Sequence, residues 1–126
     1  MRTLPASIFA AGAAIAPRRY VKFSADGVVI QAAGATDDII GVSDSLGASA
    51  AGDRCSVYQL GTNLEVDVGG NIARGKEVTA DANGKAVQAA PAAGATCRTA
   101  GIMQASYVAG DIGEYLAAPS SKTTPA

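Results

Sequence analysis

The chain has 126 residues with 10 basic and 11 acidic side chains, a formal net charge of −1. That suits one domain with a modest core and lacks the basic excess that a polyanion partner demands, so nucleic acid is not an expected partner. Apolar residues make up 48% and aromatics only 5%, and no apolar run approaches the ~20 residues that span a bilayer, so no membrane partner is expected either.

A core built from Ala and Val buries little area per residue. At about 25 cal/mol per Å² of apolar surface it gains little for each residue it orders. Self-association or incorporation into a larger assembly is therefore expected to supply part of the stability.

In chain order, residues 1–17 read as an extended Ala/Gly-rich arm carrying Leu4, Ile8, Phe9 and Ile15 as apolar anchors. The stretch ends Ala14-Ile15-Ala16, the A-x-A pattern of a signal peptide. Pro5 and Gly12 interrupt its apolar run and Pro17 would follow the cut, so the arm is the preferred reading. Residues 18–118 read as a β domain, and residues 119–126 (PSSKTTPA) as a flexible tail.

Within the β domain, Tyr20–Ser24 and Val28–Gln31 flank Asp26-Gly27, a strong hairpin signal because both turn residues tolerate positive φ. Further runs are predicted at Ile39–Ser43, Arg54–Leu60, Asn63–Val68, Glu77–Ala80, Lys85–Ala89, Thr99–Val108 and Ile112–Leu116. The cleanest period-2 segment puts Leu64, Val66 and Val68 on one face and Glu65 and Asp67 on the other. No segment outside the arm holds a helical period with caps. The expected class is all-β, a small barrel or compact sandwich.

The stretch GGNIARGKE, residues 69–77, has the G-x-x-x-x-G-K spacing of a phosphate-binding loop. Its last position is Glu77 where such a loop needs Ser or Thr for magnesium, and Val78-Thr79 continues as strand. It reads as a turn and a strand entry, not an NTPase motif. There is no His, which removes Ser-His-Asp and Cys-His chemistry.

Asp37-Asp38 reads as a polar turn. Glu65 and Asp67 share a face that would suit a weak calcium site, with a solvated strand face as the preferred alternative. Tyr20, Tyr58, Tyr107 and Tyr115 are dispersed, which favours packing over a stacking platform. Cys55 and Cys97 lie outside any C-x-x-C; two buried thiols are the plainer reading and a disulfide the alternative. No catalytic residue, cofactor, metal or small-molecule substrate is expected.

Three stretches taken together, GAAIAPRRYVKFSADGVVIQAAGATDDIIGVSD, AGDRCSVYQLGTNLEVDVGGNIARGKEVTADANGKAV and AGIMQASYVAGDIGEYLA, resemble the capsid cement (head decoration) proteins of tailed bacteriophages. The match runs from about residue 11 to about residue 118 and rests on the order and spacing of its elements. The resemblance implies a small β-barrel or β-tulip-like domain made in the host cytoplasm. It would bind the outer surface of the expanded capsid as a homotrimer at threefold or quasi-threefold sites, with the major capsid protein as partner.

Candidate capsid contacts are Leu4, Ile8, Phe9 and Ile15 of the arm, ordering on binding, and Arg18 and Arg19, which would pair with acids on the shell, with a solvated pair beside the first strand as the alternative. A secreted or periplasmic β-rich binding module and a tail or fibre component are the alternatives.

Overall fold

A computed structural model describes residues 6–59 and 61–125. The fold is all-β. Its strands are β1 (Ser7–Ala11), β2 (Tyr20–Ala25), β3 (Val28–Gln31), β4 (Gly41–Ser43), β5 (Arg54–Tyr58), β6 (Leu64–Asp67), β7 (Glu77–Ala80), β8 (Ala86–Gln88), β9 (Thr96–Met103) and β10 (Ile112–Thr123). The first five close into a barrel of order β1-β3-β2-β4-β5, and the rest form a five-stranded sheet of order β6-β10-β9-β7-β8.

The interior of a barrel widens with strand number, and five strands leave little room for side chains. Small and β-branched residues fill it: Ala11, Ile15, Val21, Val29, Ala48, Cys55 and Val57 form one buried cluster. The Ala- and Val-rich composition thus matches a narrow barrel.

A second cluster joins the barrel's outer wall to the sheet. Tyr20, Ile39 and Val42 from the barrel pack with Leu64, Val66, Val68, Val78, Met103 and Tyr115. Strand alternation makes both clusters possible, since consecutive residues point to opposite faces. In β2, Val21 enters the barrel and Tyr20 meets the sheet.

The sheet curls. An isolated parallel bridge between Val68 and Ala86 brings its two edges together at one point. Across β9 and β10 the register shifts between Ala117 and Ser120. Gly101 lies beside that shift, and a Cβ there would collide with the Leu116 carbonyl.

Two expectations about the ends of the domain are corrected. Ser7–Ala11 is not part of a free arm. It is the strand that closes the barrel, antiparallel to β5 from Ser7↔Val57 to Ala10↔Arg54 and parallel to β3 at Ala10↔Val28. The physical reason is the alternation of Phe9 and Ala11, which supplies an inward face to a barrel that would otherwise have an open edge. At the other end, Pro119–Thr123 is not a loose tail but the second half of β10, paired with β9 from Ser120↔Thr99 to Thr123↔Thr96. A bridge from Ala93 to Thr124 and a hydrogen bond from Thr124 Oγ1 to the Pro91 carbonyl (2.7 Å) secure it.

The glycine-lysine stretch is a turn entering a strand. Gly75 has φ +80°, the Lys76 N–H donates to the Ala73 carbonyl at 3.2 Å, and β7 begins at Glu77.

Candidate functional site

The expected contact residues are divided by the structure. Leu4 lies outside the described residues. Ile8 faces outward from β1 and is 62% exposed. Phe9 faces inward at the barrel rim, where its ring meets Phe23 edge-to-face with centroids 5.2 Å apart. Phe23 is 48% exposed, on a strand about to turn through Asp26-Gly27. Ile8, Phe9 and Phe23 therefore leave apolar surface at one end of the barrel, with the two rings holding each other in place.

Phe23 did not stand out in the sequence. Its place in the Tyr20–Ser24 run put it on the same strand face as Val21, and its position next to the turn was the signal that it lies at the rim.

Ile15 is a core residue, 2% exposed, and its N–H donates to the Ala48 carbonyl at 2.9 Å. Seated among the barrel's core residues, it is not free to dock against another molecule. Arg18 and Arg19 already have an acidic partner inside the chain. The Nε groups of Arg18 and Arg19 each donate to Asp67 at 3.2 Å, one to either carboxylate oxygen. Arg19 Nη1 also donates to the Asn83 carbonyl at 2.9 Å, and the Asp67 N–H donates to the Arg18 carbonyl at 2.8 Å.

Arg18 holds a left-handed φ of +53°, uncommon for a side chain with a Cβ, and these contacts keep it there. The pair clasps the β1–β2 connection to β6. Because Asp67 is committed to it, Asp67 does not join Glu65 as a calcium ligand.

The remaining polar candidates have local roles. Asp37 accepts from the Ala33 N–H at 2.7 Å and from Lys22 Nζ at 3.0 Å. Partial burial opposes its ionisation, yet the Ala33 hydrogen bond and Lys22 together hold its carboxyl below the ordinary value. Asp38 meets Arg98 at 3.1 Å. Cys55 and Cys97 are both free and buried. Burial pushes both thiols up, helped by Asp44 beside Cys55 and by Glu77 beside Cys97, which disfavours the reactive thiolate.

Tyr20 and Tyr115 are core residues, packed edge-to-face at 5.3 Å, and burial raises both hydroxyls above their ordinary values. Among the described residues, no cluster of three or more Cys, Asp or Glu is arranged to hold a metal ion.

One cleft lies where the barrel meets the sheet. It encloses about 200 Å³ and is lined by Arg18, Ser43, Asp44, Tyr58, Glu65 and Glu114, among others. One oxygen of Asp44 is occupied by the N–H groups of Leu46 and Gly47, both at 3.0 Å.

A solved structure of similar architecture is the N base of head fibre gp8.5 of bacteriophage phi29. The two share the fold. The TM-score is 0.67 at 18% identity, over 90% of this chain and 93% of that one. No protein-family model and no curated protein matches the chain.

Proposed function

We propose that this chain is a structural protein of a phage head, a cement protein that binds the outside of the expanded capsid. The observation that carries the reading is its fold. Barrel and sheet together superpose on a phage head-fibre base over nearly the whole of both chains, and the sequence independently resembles the cement proteins of tailed phages. Function is not dictated by fold alone. Here two lines of likeness lead to the same particle.

The partner is the major capsid protein, met at threefold or quasi-threefold sites by a homotrimer. Repeated over a shell, such a clip is multivalent, so modest contacts add up to strong retention. A protein that binds the expanded lattice better than the unexpanded one shifts the shell towards expansion by that difference in affinity.

The barrel end formed by Ile8, Phe9 and Phe23 is the attachment surface. Exposed apolar groups gathered at one end of a small domain favour burial against a partner. Ile15, Arg18 and Arg19 serve this surface indirectly, by holding β1 and the β1–β2 connection in place.

Co-sedimentation of the purified protein with undecorated expanded capsids and with unexpanded procapsids tests the reading. Saturable binding to expanded shells alone is expected; absence of binding to both by the folded protein would refute it. The fold likeness favours one second reading, the base of a head fibre. Copy number separates the two, since a cement protein occupies hundreds of positions on a particle and a fibre fewer.

A further inference from the structure

The outer face of the second sheet carries a charge pattern that the barrel end does not explain. Glu65 of β6 and Glu114 of β10 are direct cross-strand partners, and both are exposed. Like charges placed directly opposite each other in a sheet repel. Neither forms an ion pair with a described residue: the five salt bridges use Asp67, Asp37, Asp38 and Glu77 instead.

The same face presents apolar groups. Leu116 of β10 is the cross-strand partner of Ile102 on β9, which is 38% exposed, and Ile112, two residues before Glu114, is 48% exposed. Asp67 and Glu77 on this face are already paired, with Arg18 and Arg19 and with Lys122, which leaves Glu65 and Glu114 as its carboxylates without an ion-pair partner among the described residues. Glu65 and Glu114 also open onto the cleft of about 200 Å³, together with Asp44 and with Arg18, whose Nε is held by Asp67.

We infer that this face is a second docking surface, and that its occupant is a protein segment bearing lysine or arginine flanked by apolar residues. Charge complementarity selects that chemistry. A cationic side chain lying between Glu65 and Glu114 relieves their repulsion, while its apolar neighbours cover Ile102, Ile112 and Leu116. An acidic or purely apolar segment would leave the two carboxylates facing each other in a drier, less screened setting, at a net cost. Resting on the cement reading, the inference assigns this segment to the outer surface of the capsid protein. It makes the domain a two-sided clip, apolar at the barrel end and acidic on the sheet.

The test is co-sedimentation with expanded capsids over a range of salt, for the wild type, E65Q/E114Q and E65K/E114K, with thermal midpoints measured in parallel. The glutamine variant keeps the shape and removes the repulsion, so it is expected to fold at least as well as the wild type. Charge reversal is expected to weaken binding by about tenfold or more, and neutralisation to weaken it less and flatten the salt dependence. Should E65K/E114K fold poorly, the glutamine variant decides: unchanged affinity and salt dependence overturns the inference. That outcome, with wild-type binding intact, leaves the cement reading standing. A wild type that fails to bind expanded shells overturns both.

Discussion

The ring of Tyr20 on β2 meets the ring of Tyr115 on β10 at 5.3 Å and 84°, edge to face, and this contact links the barrel to the second sheet. Tyr20 is fully buried, and its hydroxyl has no hydrogen-bond partner among the described residues. An orphaned buried hydroxyl costs about 1–3 kcal/mol, whereas the ring itself is worth its area. Tyr20→Phe is therefore expected to raise the denaturation midpoint or leave it unchanged. Tyr20→Ala, which removes the ring, is expected to cost about 3–5 kcal/mol. Chemical denaturation of both variants checks the pair, and a clear loss of stability in Tyr20→Phe would mean that the hydroxyl is satisfied.

Removal of residues 2–16 deletes β1 and Ile15 together. The barrel then has two unpaired edges at β3 and β5, and its interior is open. The truncated chain is expected to lose the cooperative unfolding transition of the intact domain, seen by circular dichroism. Ile15→Ala alone is expected to cost about 2–5 kcal/mol.

Asp67 is shared by two guanidinium groups at 3.2 Å each, with about a fifth of its side chain exposed. Hydrogen bonds to charged groups contribute about 1.5–3 kcal/mol when sheltered, and exposed pairs about 0–1. Asp67→Asn is expected to fall between these limits, at about 1–2 kcal/mol. The loss should shrink at high salt, which denaturation at two ionic strengths would reveal.

Asp37 carries the pH dependence. Its carboxyl is held below its ordinary value, so the folded state binds its proton less readily than the unfolded chain does. The stability it contributes is present above the unfolded value of about 3.9 and is lost as pH falls through the lower folded value. Asp37→Asn is therefore expected to be less stable than the wild type at neutral pH. The gap should close in acid below about pH 4. A gap that stays constant from neutral pH into acid would assign the role to the side chain's shape.

Gly101→Ala places a Cβ against the backbone carbonyl of Leu116 in the neighbouring strand. A backbone atom cannot swing away as a side chain can, so β9 and β10 must separate. Marked destabilisation is expected, with the largest loss of amide protection in those two strands by hydrogen exchange.

The local chemistry of strands and turns was legible in the residues. Val28–Gln31 and Glu77–Ala80 are strands with the expected bounds, and Asp26-Gly27 turns the chain between β2 and β3. The alternation of Leu64, Val66 and Val68 with Glu65 separates buried from exposed in the folded sheet. Period-2 patterning and positive-φ turn residues act over a few residues, and so they can be read without knowing the partner strand.

Where the chain's ends lie was not legible. The run SIFAA alternates too briefly, among too many alanines, to show an inward face, and residues 119–123 carry no apolar alternation at all. Each becomes a strand because a neighbour supplies the hydrogen bonds: β5 and β3 for the first, β9 for the second.

The contact candidates divide along the same line. Exposure of Ile8, burial of Ile15 and the capture of Arg18 and Arg19 by Asp67 some 50 residues away depend on which surfaces the closed barrel leaves outside. Composition and periodicity determined that this chain is a small-residue β protein. Barrel closure and the docking of the sheet decided which of its apolar and charged groups remain free to meet another molecule, because pairing between distant strands is a property of the whole chain and of no single segment.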